Sequence, residues 1–312
     1  MGLVRVGRNV LRFRGGVNQW AWIVHRIAGV GVFLFLALHV VDICMATLGP
    51  AAFDRLLFLY KGFPARLLEM LLMFGLLYHA LNGTRLAVAG FFPPLATLRR
   101  ARAASIIVLV SFAALYLPAG FAMMWMLPLE PFHHHPLSAA AVTLAFPLVP
   151  AGLVAAYRRL SPARMPAIGV DGDYEGALAQ AAAPESPRRR GRELGIWLFV
   201  RVSALLLLAL ALFHFSWLHF VVRVENITFL TIVSRWNDPA NPGQSLLWRV
   251  YDIALLATAL THGSLGVSAV LRDYVPGDRA RRIVRTAMGV LWAALVTLGA
   301  AFVLLFRGGS PV

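Results

Sequence analysis

Residues Trp22–His39 read WIVHRIAGVGVFLFLALH, and residues Trp197–His214 read WLFVRVSALLLLALALFH. Each stretch places an arginine four residues after its tryptophan and a histidine thirteen residues after that arginine. Between arginine and histidine almost everything is apolar, and a run of about 20 such residues is what a bilayer span requires. A second signature follows in each half: His79 has Gly83 four residues on, and His262 has Gly266 four residues on. The order W-x3-R-x12-H, then H-x3-G, therefore occurs twice, which marks an internal repeat.

Working outward from these stretches, seven apolar segments can be drawn: Trp22–Leu48, Leu67–Phe92, Ala104–Leu127, Leu137–Tyr157, Leu194–Val222, Leu246–Leu271 and Ile283–Phe306. Pro147 and Pro150 interrupt the fourth, which a membrane helix tolerates when neighbours satisfy the freed carbonyls. The expected fold is an all-α membrane protein of seven transmembrane helices, with two parallel three-helix repeats joined by an extra helix. Its parts are a cytoplasmic segment 1–21, a first anchor unit 22–127, an outer loop and linking helix 128–157, a cytoplasmic linker 158–193 and a second anchor unit 194–312. Two parallel units that both start inside need the extra crossing between them.

Composition agrees. Of 312 residues, 59% are apolar and 14% charged, with mean hydropathy +0.72. A soluble enzyme is less apolar and more charged, and a disordered chain has far less to bury. The net charge of +15 is one mark of nucleic-acid binding, but its distribution gives a membrane reading. Segment 1–21 and loops 92–103, 158–193 and 272–285 hold 19 Lys and Arg, and the alternate loops with the C-terminus hold 6. Basic residues stay on the cytoplasmic side, which puts the N-terminus inside and the C-terminus outside. Loop 158–193, with four prolines, an acidic patch at Asp171–Glu175 and the run Arg188–Arg190, reads as a partly disordered linker. No cleaved signal peptide is expected. The single cysteine, Cys44, allows no disulfide and no cysteine-ligated cluster within the chain.

Ionisable groups inside apolar helices are costly and usually functional. Counted from the cytoplasmic ends at 1.5 Å per residue, His79 and His262 lie about 15–18 Å deep, and His39 and His214 about 25–30 Å. Each tier takes one histidine from each half. Two imidazoles facing each other across a bundle interior suit a six-coordinate b-type haem. Each H-x3-G glycine shares a helix face with its histidine, where it clears space for a flat macrocycle or serves close helix packing. His25, Arg26, Arg85 and Arg201 are the cations available to haem propionates, with snorkelling as the plainer use of the arginines.

These residues resemble a known family. His25–Gly29 (H-R-x-x-G) and Tyr78–Arg85 (YHALNGTR) are similar to the cytochrome b membrane anchor of succinate dehydrogenase and fumarate reductase. Trp197–Ala204 (WLFVRVSA) and His262–Tyr274 (HGSLGVSAVLRDY) are similar to its companion hydrophobic anchor. The chain looks like a fusion of the two, of the two-haem type. The resemblance implies a subunit of a succinate:quinone oxidoreductase (respiratory complex II) in a bacterial cytoplasmic membrane, which docks a flavoprotein subunit and an iron–sulfur subunit on its cytoplasmic face. FAD and the iron–sulfur clusters belong to those partners, so this chain holds no succinate site and binds no nucleic acid. Its cofactors are two haem b groups and a quinone, with menaquinone favoured. The implied haem ligands are His79 with His262 and His39 with His214, and His25 is a propionate contact. The implied quinone site contains Tyr274, Arg26, Asp273 and Trp22. Two departures stand out: a serine found in some relatives is Trp22 here, and Gly90-Phe91 stands where the second half has Asp273-Tyr274.

Other polar residues are less specific. Asp42, Asp252 and Glu69 suit an outer proton route, support for the outer imidazoles or plain structural pairing. His219, five residues past His214, points to another helix face and is not read as a ligand. His133–His135 form a loop cluster that rarely makes a defined metal site. A proton-coupled transporter of parallel-repeat type and a haem-free structural anchor are the rival functions.

Overall fold

The computed structural model describes residues 17–60, 62–127, 134–160 and 187–308. The expected linker 158–193 and N-terminal segment 1–21 therefore fall largely outside the described residues. Among these, the fold is all helical. The α-helices are α1 (Val17–Cys44), α2 (Pro50–Leu59), α3 (Phe63–Phe91), α4 (Leu98–Trp125), α5 (Pro136–Leu160), α6 (Pro187–Ser216), α7 (Phe229–Asn237), α8 (Pro242–Tyr274) and α9 (Asp278–Leu305).

Six helical stretches are long and apolar enough to cross a membrane: Trp20–Leu48, Phe63–Phe91, Arg99–Trp125, Gly191–Val222, Pro242–Tyr274 and Asp278–Leu305. The expected fourth span is α5, whose apolar described part is the shorter Pro136–Val149; Pro147 and Pro150 sit within its helix without ending it. Several helices run past the apolar stretches that mark them. Proline in the first turn gives up no helical hydrogen bond, and it starts α2 at Pro50, α3 near Pro64 and α8 at Pro242.

Helices α1, α3, α6 and α8 form a closed ring, each packed on the next, with α8 returning to α1. Outside it, α4 leans on α3 and α1, α9 on α8 and α1, and α5 on α4. Lipid tails are as apolar as leucine, so helices associate through close packing of small residues. Gly75 of α3 faces Val32 and the carbonyl of Ala28 on α1, Gly120 of α4 faces Thr143 on α5, and Gly299 of α9 faces Leu256 and Val40. Large side chains such as Leu38, Leu68 and Ile107 are left outward, as a lipid-facing surface requires.

The two ends of the ring differ. At the near end, the start of α1 meets the end of α8, and the start of α6 meets the end of α3. At the far end two short helices, α2 and α7, meet over the bundle. Asp54 Oδ1 of α2 accepts the backbone N–H of Phe229 at 2.7 Å, and Phe53 packs edge-on against Phe229. Arg249 of α8 binds the carbonyls of Trp236 and Phe306 and the side chain of Asn237, which ties α7, α8 and the end of α9 together. Both short helices fall in segments that the sequence alone reads as loops.

Candidate functional site

Each ring helix contributes one of the four expected histidines: His39 from α1, His79 from α3, His214 from α6 and His262 from α8. The structure pairs them as expected. The ring centres of His79 and His262 are 6.2 Å apart with planes at 88°. Those of His39 and His214 are 6.3 Å apart with planes at 77°. Each pair brings its two rings close enough for one group held between the halves of the chain to meet both.

Hydrogen bonds fix the near-pair tautomers. His79 Nδ1 lies 3.1 Å from the carbonyl oxygen of His25; a carbonyl only accepts, so Nδ1 carries the proton and Nε2 keeps its lone pair. His262 Nδ1 lies 2.8 Å from Ser203 Oγ. That hydroxyl donates to the carbonyl of Val200 at 3.2 Å, so it accepts from Nδ1–H and again leaves Nε2 free. A partner on the second nitrogen is the usual support of a metal-bound histidine. The sequence reading missed Ser203, although it stands within the quoted Trp197–Ala204 motif.

The two H-x3-G glycines stand beside ordinarily packed or open space. A Cβ on Gly83 would meet His25 at an ordinary 3.5 Å, and one on Gly266 would meet nothing within 4 Å. The tight position is Gly29 of α1, where a Cβ would lie 2.6 Å from Cε1 and 2.9 Å from Nδ1 of His79. His25 stacks on His79 at 4.0 Å, tilted 5°.

Buried nitrogens at the near end without a hydrogen-bond partner among the described residues include His25 Nδ1, Arg85 Nε and Arg201 Nε. Arg85 is held by the carbonyl of Ala101 and by Ser105 Oγ, and Ser105 in turn donates to Asn18 at 2.7 Å. Arg201 lies 4.0 Å over the Trp197 ring and against Gly90. Orphaned buried donors on these residues fit an acidic ligand such as a propionate, so the residues present fit a haem. Arg26 sits 4.2 Å over Trp22 and is ion-paired with Asp273. Three of the four expected quinone-site residues thus meet, and the fourth, Tyr274, is 52% exposed at the end of α8.

The far-end acids have defined partners. Asp252 accepts two hydrogen bonds from Arg235, at 2.8 and 2.7 Å, and one from Trp236 Nε1 at 2.8 Å. It lies 4.0 Å from His214 Nδ1, too far for a hydrogen bond. Asp42 accepts the Tyr60 hydroxyl at 2.7 Å. Burial and that bond push the Tyr60 hydroxyl up to about 12. Glu69 pairs with Arg66 at 2.9 Å. Of the histidine loop cluster, His133 is outside the described residues, and His134 turns onto the Trp125 ring.

Residues 6–119 match the family described as succinate dehydrogenase/fumarate reductase transmembrane subunit. Over 80 residues the chain is 38% identical to succinate dehydrogenase 2 membrane subunit SdhC of Mycobacterium tuberculosis, a match covering 26% of this chain and 59% of that protein. The chain thus spans well under two thirds of the curated relative's length. No solved structure matches. Residues 6–119, the stretch holding both His25–Gly29 and Tyr78–Arg85, thus match that family, in a chain whose described residues include six helical stretches long and apolar enough to cross a membrane.

Proposed function

We propose that the chain is the di-haem cytochrome b anchor of a succinate:quinone oxidoreductase, a fusion of the two anchor units with α5 as the seventh crossing. The observation that carries this reading is the presence of two imidazole pairs, each taking one member from either half of the chain. His79 and His262 would hold one haem and His39 and His214 the other, with His25, Arg85 and Arg201 as near-end propionate contacts. A bound haem supplies a one-electron carrier. The chain's own residues hold the near imidazoles, His79 and His262, by Nδ1 and set the charge at the ring's mouth.

The quinone site is proposed at the near-end mouth of Trp22, Arg26, Asp273 and Tyr274. The Tyr274 hydroxyl donates to a quinone carbonyl. Arg26 stabilises negative charge on the reduced ring, and Asp273, its ion-pair partner, is the proton relay at the mouth. This mouth faces the cytoplasm, where a flavoprotein and an iron–sulfur subunit dock, and menaquinone is the favoured substrate. The orientation follows the basic loops.

A reduced-minus-oxidised visible spectrum of the purified chain, with haem quantified, tests the assignment. Two b-type haems per chain are expected. One haem demotes His39 and His214, and a colourless protein overturns the cytochrome reading in favour of a transporter or a haem-free anchor.

A further inference from the structure

At the far end, away from the near-end mouth, four departures from ordinary helix structure coincide. The end of α6 loosens into a π-turn over Trp217–Val222, a feature that often marks functional positions. Arg223, the next residue, has φ +69°, a left-handed conformation that non-glycine residues hold only under constraint. On the neighbouring helix α3, Arg66 is buried and ion-paired with Glu69. Between these elements and α4 lies a cavity of about 20 Å³ lined by Arg66, Met123, Met126, His219 and Glu225.

His219 is the key side chain. Its Nδ1 lies 2.9 Å from the carbonyl oxygen of Phe215, so that nitrogen carries the proton and Nε2 keeps a lone pair. Nε2 is buried and without a partner among the described residues. A bare acceptor beside a cavity needs a donor. The cavity has room for about one water, which needs 10–15 Å³ of such volume, and none for a quinone or a haem. His219 itself lies within the π-turn.

We propose that this cavity is a one-water proton-exchange site, in which His219 Nε2 takes up a proton through the bound water and Glu225 passes it on from solvent. The step balances as a proton alone: a proton from solvent passes over the Glu225 carboxylate and the water to neutral His219, which becomes an imidazolium with no electron moved. Glu225 is positioned for the rim because it is partly exposed and bonded to Arg223. The charged groups around His219 are Arg66 and Glu69 from α3, Glu225 and Arg223 from the turn, and His214 on its own helix; the α4 residues lining the cavity, Ala122, Met123 and Met126, are uncharged. Two carboxylates against two guanidiniums leave the cluster neutral, so the arriving proton adds one unit of charge near the outer imidazole pair. Resting on the two-haem reading, an electron placed at that pair raises the proton affinity of His219, which makes far-end reduction proton-linked.

The test uses the full chain in lipid nanodiscs, reduced, with 15N-labelled histidine rings. The His219 signals, assigned by their loss in His219→Gln, are expected to show Nε2 in contact with water protons and to move as pH is lowered. In Glu225→Gln the same signals are expected to remain while exchange slows. A dry Nε2, or one that does not move, overturns the proposal. Optical redox titration reads the linkage: the far-haem potential is expected to fall with pH by up to about 59 mV per unit, the one-electron value for a tenfold change, and this slope is expected to flatten in His219→Gln but not at the near haem. Equal slopes in both proteins overturn the linkage. Absence of a second haem sinks the two-haem reading instead, and the nitrogen signals still decide whether the proton-exchange site exists.

Discussion

Gly29→Ala is the sharpest perturbation of the near histidine pair. The new Cβ would lie 2.6 Å from His79 Cε1, whereas carbons in contact sit about 3.5–4 Å apart, so the ring retreats by about 1 Å. The ring's Nδ1 bond to the His25 carbonyl, now 3.1 Å, is then lost. That bond is worth about 1 kcal/mol, and forcing a methyl into a packed interior costs about 1–3 kcal/mol. Alanine returns about 1 kcal/mol of helix propensity over glycine. The net cost of about 1–3 kcal/mol corresponds to a roughly 5–150-fold weaker hold on a ligand that needs His79. The assay is haem per chain at limiting haem, with the spectrum of each haem resolved by potential. Gly75→Ala is the control, because its Cβ would meet Val32 at an ordinary 3.6 Å, and it is expected to leave both haems in place. A Gly29→Ala protein that retains its near haem as tightly as the parent refutes the reasoning, as does equal damage from Gly75→Ala.

Removing the Ser203 hydroxyl (Ser203→Ala) is expected to lower near-haem affinity about 10–100-fold, read by haem retention on dilution, while Ser203→Thr, which restores a hydroxyl, recovers most of it. Asp273→Asn breaks the pairing with Arg26; quinone reduction by the assembled enzyme is expected to fall while the visible spectrum stays unchanged. Asp54→Ala removes the acceptor that caps α7 and is expected to lower stability by about 1 kcal/mol, seen as a lower thermal midpoint with normal haem content. The Tyr60 hydroxyl is pushed from 10.0 to about 12, so its neutral form is favoured in the fold. Its contribution is complete below pH 10 and is lost as pH rises towards 12, and Tyr60→Phe is expected to flatten that alkaline loss in a denaturation series.

Much of this was legible in the sequence because membrane helices advertise themselves. The runs from Trp22 and Trp197 are too long and too apolar for any other use, and the histidines inside them stand out against leucine and alanine. Counting residues from the helix ends put His79 level with His262 and His39 level with His214, and the structure brings each pair together. What stayed hidden depends on contacts between helices. The close contact at Gly29 appears only when α3 brings His79 onto it. Ser203 looks like one more small residue until α8 sets His262 beside it. The short helices α2 and α7 carry Asp54, Arg55, Arg235 and Asn237 among their apolar residues, so they read as loops. The π-turn at the end of α6, which carries His219, is a backbone irregularity with no signature in residue spacing.

The closed ring has a consequence for how the molecule comes into being. Each imidazole pair takes one member from before residue 161 and the other from after residue 186. A nascent chain that has inserted only its first three spans therefore displays His39 and His79 as half-sites with no counterpart. Neither half-site is completed until α6 and then α8 have been synthesised and have swung into the ring. Whatever the imidazoles grasp acts as a clasp across two parts of the chain that a ribosome delivers at different times. Joining both parts in one polypeptide keeps their ratio at one to one without any assembly step to enforce it.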